Sequence, residues 1–178
     1  CIAYFGITNG TGVVVPVDKE LMAEDVLNIL TVSDSKAMFV DDKSYEKLQE
    51  IKDRLPQDFT FIGLDEIEGL QNIDDLVKLG EELLAKGDRT FLDAEVDGDA
   101  LSSLLFTSGT TGMAKGVMLS QRNVIEDIRA IKKLVKITPD DTILSVLPLH
   151  HTYENSLCFI QLMYTGGCYC FCEGLRYI

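Results

Sequence analysis

A stretch of small polar residues between two apolar runs places the strongest constraint on how this chain can fold. Residues 104–120 read L-L-F-T-S-G-T-T-G-M-A-K-G-V-M-L-S. The apolar residues on either side predict two strands, over 101–106 and 116–119. A connection made of Thr, Ser and Gly lets backbone N–H groups approach a ligand closely, because these residues add little bulk and Gly tolerates positive φ.

This connection carries the donors and the positive charge that a phosphate group requires. Its hydroxyl and backbone N–H groups can donate hydrogen bonds, and Lys115 supplies a positive charge directly after them. We predict a phosphate-binding site formed by Thr107, Ser108, Gly109, Thr110, Thr111, Gly112 and Lys115. The alternative is a surface loop without a ligand, which the same composition also favours. A lysine between two apolar strands argues against that alternative.

The stretch differs from the two common nucleotide-binding motifs. A Walker A loop requires G-x-x-x-x-G-K-[ST], whereas here Ala114 precedes Lys115 and Gly116 follows it. A dinucleotide-binding G-x-G-x-x-G pattern does not fit these positions either. The sequence therefore indicates phosphate binding by another type of loop.

The two histidines of the chain are adjacent and follow a predicted strand over 142–147. They lie in the sequence P-L-H-H-T-Y-E, which begins at Pro148. Ligands of open α/β sheets bind beyond the carboxyl ends of the strands, so His150 and His151 are candidates for a binding site. The alternative is a structural role, in which backbone carbonyls satisfy the imidazoles.

Both stretches resemble motifs of the adenylate-forming enzymes, a superfamily of acyl-CoA synthetases, luciferases and peptide-synthetase adenylation domains. T-S-G-T-T-G-M-A-K-G-V is similar to their phosphate-binding motif, with Ala114 at a position where the family usually has proline. That difference removes a fixed φ but no donor and no charge. P-L-H-H-T-Y-E is similar to the family's L-P-L-x-H motif and looks most like the long-chain fatty acyl-CoA synthetases. His151 matches the histidine between the acyl pocket and the nucleotide.

The resemblance implies an ATP- and Mg²⁺-dependent ligase. Such an enzyme converts a carboxylic acid, here a fatty acid, to an acyl-adenylate and then transfers the acyl group to coenzyme A. It implies that Lys115 and the small-residue loop hold the phosphates, and that Lys115 and His151 are the catalytic residues. Two other interpretations remain open: a luciferase-like or peptide-synthetase adenylation enzyme, and a non-catalytic nucleotide-binding module.

Several motifs of the family do not occur in these residues. We find no Y-G-x-T-E motif for adenine and Mg²⁺, no T-G-D motif for ribose, and no small C-terminal domain with its catalytic lysine. The chain therefore resembles part of the large N-terminal domain, and we expect it to be inactive alone. It begins at Cys1 without a methionine, so we expect the true N-terminus to lie upstream.

The composition argues against several other classes of protein. A net charge of −13 disfavours nucleic acid and anionic membrane surfaces as partners. No apolar run reaches the ~20 residues of a transmembrane helix. We see no signal peptide, and the odd number of cysteines, five, favours reduced thiols and a cytoplasmic location.

Cysteine and acidic clusters raise the question of a metal site. Cys168, Cys170 and Cys172 would line one face of a strand, where a zinc site is conceivable, but buried apolar packing is the preferred interpretation. The acid-rich segment 65–99 is interpreted as a solvated face. Within it, D-A-E-V-D-G-D at 93–99 lacks the spacing and final Glu of a calcium loop.

Hydrophobic periodicity predicts alternating strands and helices. We predict a helix that ends near Ile7, and other helices over 21–30, 44–54, 73–86, 121–136 and 153–164. Strands are predicted over 12–17, 37–40, 59–64, 101–106, 116–119, 142–147 and 168–172. This order predicts an α/β fold with a mostly parallel sheet flanked by helices. We expect two segments: βαβ units with an acidic linker over 1–99, and the two motifs over 100–178.

Overall fold

The chain combines helices with parallel and antiparallel strand pairs in two compact units. The computed structural model describes residues 1–9, 12–107 and 115–172. The first unit ends at Asp97 and the second begins at Gly98. The mixture of helices and partly parallel strands confirms the predicted α/β class. Among the described residues, no helix has both the length and the apolar character needed to cross a membrane.

The helices and strands lie close to most of the predicted positions. The α-helices are α1 (Ile2–Thr8), α2 (Ala23–Val32), α3 (Asp42–Leu48), α4 (Ile73–Ala85), α5 (Gln121–Lys132) and α6 (Gln161–Thr165). A 3₁₀-helix covers Gln49–Arg54 and a π-helix covers Tyr153–Ile160. The strands are β1 (Ala37–Val40), β2 (Thr60–Gly63), β3 (Leu101–Thr107), β4 (Lys115–Ser120), β5 (Thr142–Ser145) and β6 (Cys168–Phe171).

The first unit contains a parallel β-α-β arrangement, as predicted. Strands β1 and β2 pair in parallel, from Ala37 opposite Thr60 to Val40 opposite Gly63, and α3 with the 3₁₀-helix connects them. The core of this unit lies among α2, the two strands and the 3₁₀-helix. Its buried apolar residues are Ala23, Val26, Leu27, Leu30, Val40, Leu48, Ile51, Phe61 and Ile67.

Two predictions in the first unit are wrong. The predicted strand over 12–17 is reduced to a single bridging residue, Val14, which is buried. Pro16 has no N–H group to donate to a strand neighbour, so this run cannot continue a ladder. The predicted single helix over 44–54 divides after Leu48 into an α-helix and a 3₁₀-helix. The three-residue spacing of Leu48 and Ile51, both fully buried, suits the three-residue turn of a 3₁₀-helix.

The second unit contains an antiparallel hairpin and a parallel pair. Strand β3 pairs with β4 antiparallel, and β5 pairs with β6 in parallel. Helix α5 contacts both strands of the hairpin and also the π-helix, so it connects the two parts of this unit. The buried apolar residues of the second unit are Leu105, Ile128, Phe159 and Leu162.

Three elements of the second unit end earlier or wind differently than predicted. Helix α5 stops at Lys132 instead of Lys136, and Leu134 beyond it is 85% exposed. Strand β5 stops at Ser145 instead of Leu147. The helix predicted over 153–164 starts as a π-helix, whose wider turn changes which residues face inward. Four polar residues are buried along the π-helix and the start of α6: Glu154, Asn155, Ser156 and Gln161.

The cysteine-rich strand is correctly located, but its predicted burial is wrong. Cys168 and Cys170 lie on the same face of β6, as the alternation predicted, with their Sγ atoms 3.9 Å apart. Both residues are exposed, because this face of the β5–β6 pair carries no packed layer in the described part of the chain. No disulfide links the five cysteines, all of which lie within the described residues.

Candidate functional site

The β3–β4 hairpin brings the two ends of the predicted phosphate-binding loop together. Thr107 and Lys115 are direct partners in the antiparallel register, and both residues are exposed. A hydroxyl donor and a positive charge therefore lie side by side at the end of the hairpin. The predicted residues Ser108, Gly109, Thr110, Thr111 and Gly112 lie outside the described residues.

Gly116, the residue after Lys115, packs closely against side chains of the opposite strand. Gly116 lies opposite Phe106, and a Cβ atom at this glycine would come within 3.0 Å of Leu104 Cδ1 and 3.5 Å of Phe106 Cζ. At the other end of the hairpin the register shifts between Leu101 and Ser103, which marks a β-bulge. Packing at Gly116 therefore constrains one end of the hairpin, and the register shift near Leu101 marks the other.

Helix α5 begins where strand β4 ends, without a connecting loop. Ser120 accepts a hydrogen bond from the backbone N–H of Asn123, and the Asn123 side chain accepts one from the Ser120 backbone N–H in return. Ser120 is therefore the N-cap of α5, in a capping box with Asn123. Arg122, in the first turn, pairs with both carboxylate oxygens of Asp99, which lies just before β3. The start of α5 is thus tied to both strands of the hairpin.

The histidines lie on the segment between β5 and the π-helix, which we call the histidine segment (residues 146–153). The backbone N–H of His151 donates to the carbonyl of Pro148 at 3.0 Å, and the His151 carbonyl accepts from the N–H of Asn155 at 3.0 Å. The two imidazole centroids are 4.3 Å apart; His150 is half-buried and His151 is exposed. The backbone of His151 is therefore fixed on both sides while its imidazole remains accessible.

A buried polar cluster lies directly beside the histidine segment. Glu154, in the first turn of the π-helix, is 1% exposed and accepts a hydrogen bond from the Tyr169 hydroxyl. Burial and the interaction with Glu154 raise the pKa of Tyr169, whereas the Ser145 hydroxyl, which interacts with the same phenol, lowers it. Burial, with smaller effects from Glu154, raises the pKa of the Cys158 thiol to about 11. The phenol and the thiol therefore stay protonated at neutral pH.

Sequence reasoning missed this cluster. Ser145 stands in an apolar strand and Tyr169 stands between cysteines, so neither matches a motif. The one available signal was a polar residue in each of two apolar strands, since such residues need hydrogen-bond partners when buried.

The structure joins some of the predicted site residues and separates others. Thr107 and Lys115 lie together on the hairpin, while His151 follows the other strand pair of the same unit. Helix α5 packs against the hairpin and against the π-helix that begins after the histidines. Among the described residues, no group of three or more Asp, Glu, His or Cys side chains could hold a metal ion. The described part of the site thus offers a lysine, a hydroxyl and an accessible imidazole.

Comparison with known proteins identifies sequences and structures similar to this chain. The sequence profile of the AMP-binding enzyme family matches residues 1–176. A human long-chain-fatty-acid–CoA ligase is 30% identical over 179 residues, covering 87% of this chain and 23% of the ligase. A chloroplastic long-chain-fatty-acid–[acyl-carrier-protein] ligase of Arabidopsis thaliana is 34% identical over 103 residues, covering 52% of this chain and 14% of that protein.

The fold is also similar to that of solved structures. The crystal structure of an anthranilate CoA ligase in complex with anthranoyl-AMP has a TM-score of 0.80 at 19% identity, covering 95% of this chain. This chain spans 32% of that enzyme, so it corresponds to a part of these larger proteins.

Proposed function

The chain belongs to the AMP-binding enzyme family, and from this premise we propose that it is part of an ATP-dependent acid–thiol ligase. The reaction would join a carboxylic acid to the α-phosphate of ATP with release of pyrophosphate, and then transfer the acyl group to a thiol with release of AMP. The observation that carries this proposal is the pairing of Thr107 with Lys115 across the hairpin. A hydroxyl and an ammonium group at that position suit the phosphates of ATP.

The contribution of the hairpin to catalysis would be electrostatic. Phosphoryl and adenylyl transfers depend mainly on positioning and on stabilising negative charge around phosphorus. Lys115 would hold and neutralise the β- and γ-phosphates, and Thr107 with the loop residues 108–112 would donate hydrogen bonds to them. Mg²⁺, when bound, would neutralise further charge on the triphosphate.

His151 would orient the acid substrate. Its exposed imidazole and its fixed backbone suit a group that guides a carboxylate toward the α-phosphate. In this role His151 acts as a polar guide, and the reaction does not require it to remove a proton.

We propose a fatty acid as substrate and coenzyme A as thiol acceptor. The P-L-H-H-T-Y-E sequence and the similarity to a human long-chain-fatty-acid–CoA ligase support this choice. The plant relative is named for an acyl-carrier-protein acceptor, so both acceptors belong in the test. A cytoplasmic location is part of the proposal and is supported by the absence of a disulfide among the five cysteines.

The test is a panel of acids with the full-length protein. We expect ATP–pyrophosphate exchange that increases from acetate to palmitate, followed by thioester formation with coenzyme A. Exchange that is greatest with an amino acid or an aryl acid would retain the chemistry and reject the fatty-acid substrate. ATP binding without exchange for any acid would reject the ligase in favour of a non-catalytic nucleotide-binding module. The 178 residues alone are expected to form no thioester.

A further inference from the structure

The end of the histidine segment is held by a side chain of another strand, that of Tyr169. Glu154, immediately after the segment, accepts a hydrogen bond from the Tyr169 hydroxyl. Ser145, immediately before the segment, lies on the same face of the β5–β6 pair as Tyr169. The phenol therefore links strand β6 to the first turn of the π-helix, beside the chain that carries His150 and His151.

The strand register explains why Tyr169 lies close to both ends of the histidine segment. Tyr169 lies opposite Ile143 in the parallel β5–β6 pair. Ser145 lies two residues after Ile143, so it shares a face of the pair with Tyr169. The π-helix packs against β5, and its Glu154 bonds to Tyr169 of the neighbouring strand β6. The phenol thus lies where the strand and the helix meet.

Burial makes these contacts costly to lose. Glu154 is 1% exposed, so it cannot exchange its hydrogen bond with Tyr169 for one with bulk water. The ring of Tyr169 packs edge-on against Phe159 and Phe171, with centroids 5.5 Å and 5.1 Å apart. The ring is therefore anchored independently of its hydroxyl.

We propose that Tyr169 is a positioning residue for His151: its hydroxyl fixes Glu154 and so sets the backbone that presents the imidazole. The proposal rests on the function proposed above, in which His151 guides the carboxylate. Tyr169 itself acts through the protein, without touching the substrate. The backbone hydrogen bond from Asn155, the neighbour of Glu154, to His151 carries the constraint to the imidazole.

The protonation of the phenol suits this role. Burial and Glu154 raise the pKa of Tyr169, so the hydroxyl remains a hydrogen-bond donor throughout the working pH range. Glu154 accepts this hydrogen bond inside the protein, where water does not compete for it.

The first experiment compares Tyr169→Phe with the wild type in the full-length protein, measured by ATP–pyrophosphate exchange. We expect kcat to fall by about 10- to 100-fold, the loss that a displacement of roughly 1 Å causes. The KM for ATP should stay unchanged, because the hairpin binds the phosphates. Tyr164→Phe is the matched control, since Tyr164 lies in the same unit and is half-exposed. This control should retain wild-type kcat.

A double variant separates positioning from general stability. If Tyr169 acts through His151, Tyr169→Phe should reduce kcat little further in a His151→Ala background. Equal fold-losses in both backgrounds would overturn the proposal and leave Tyr169 as a purely structural residue. An unchanged kcat in Tyr169→Phe with only a lower Tm would overturn it as well.

A conservative variant provides a third readout and protects against misfolding. Glu154→Gln keeps an oxygen that can accept from Tyr169, whereas Glu154→Ala removes it. We expect kcat to be retained largely in Glu154→Gln and lost in Glu154→Ala; equal losses would contradict the proposal. If the wild type shows no exchange with any acid, the proposed function itself fails. That result differs from every variant outcome above, because each of those requires an active wild type.

Discussion

At the scale of single residues, the second unit depends on a few close contacts around Gly166 and Gly167. Gly166 ends α6 in the left-handed region with φ 86°, a conformation that favours glycine. A Cβ atom at Gly167 would come within 2.5 Å of Leu162 Cδ1 and 2.9 Å of the Asp141 carbonyl oxygen. Because Leu162 is fully buried, it has little room to move away.

We predict that Gly167→Ala destabilises the protein by roughly 1–3 kcal/mol, the usual cost of overpacking. The matched control is Gly80→Ala, in the middle of α4, where no described atom beyond the adjacent residues and the local helix backbone lies within 4 Å of the added methyl group. That control should stabilise by about 0.5–1 kcal/mol, because alanine favours a helix over glycine. Urea unfolding of the full-length variants measures both effects. Equal effects at the two positions would contradict the packing around Gly167.

The raised pKa of Cys158 predicts a dependence of stability on pH. Burial and Glu154 raise this pKa from 9.0 to about 11, so the folded protein holds the thiol proton more tightly than the unfolded chain. Stability from this group is complete below pH 9.0 and is lost as the pH rises toward 11. Over this window the wild type should lose more stability than Cys158→Ser, whose hydroxyl does not titrate. Parallel stability curves for the two proteins would rule out the raised pKa.

At the scale of elements, local sequence determined most of the structure, and long-range contacts determined the rest. Strand β1 has the predicted bounds. The N-caps at Asp41 and Ser120 are local, because each side chain accepts from a backbone N–H three residues along the chain. The π-helix was not predicted, since the apolar spacing after Tyr153 is also compatible with an α-helix. Its buried Glu154 depends on Tyr169, a residue of another strand, and periodicity contains no information about that pairing.

The candidate site also has parts that the sequence located and parts that it did not. The sequence located Lys115 and His151, because each lies in a recognisable motif. It did not predict that β3 and β4 pair antiparallel, which places Thr107 beside Lys115. It also did not reveal the contacts that hold the histidine segment, since these join residues far apart in the chain.

The capping box of α5 provides a test at this scale. Ser120→Ala should destabilise the protein by about 1 kcal/mol, because the first turn of α5 loses the side-chain acceptor for the Asn123 N–H. Ser120→Thr keeps the hydroxyl and should lose markedly less. Thermal unfolding of the full-length variants distinguishes them. The cap would be unimportant if Ser120→Ala and Ser120→Thr unfolded at the same temperature.

At the scale of the whole molecule, the charge of the chain opposes that of the proposed substrate: the chain is acidic and ATP is highly anionic. The net charge of −13 opposes the approach of a nucleoside triphosphate in general. Binding must therefore depend on local donors, and Lys115 at the end of the hairpin is the described residue best placed to supply the positive charge. The chain covers 23% of the human relative, so other parts of the parent protein would complete the site.

The most direct test is ATP–pyrophosphate exchange by the full-length protein carrying Lys115→Ala, with Lys133→Ala as control. Lys133 is an exposed lysine at the end of α5, outside the proposed site. We predict that Lys115→Ala lowers exchange by about 100-fold or more, the scale of loss when a group that stabilises transition-state charge is removed. Lys133→Ala should match the wild type. Exchange by Lys115→Ala within about twofold of the wild type, well below that expected loss, would contradict the assignment of the hairpin as the phosphate-binding element.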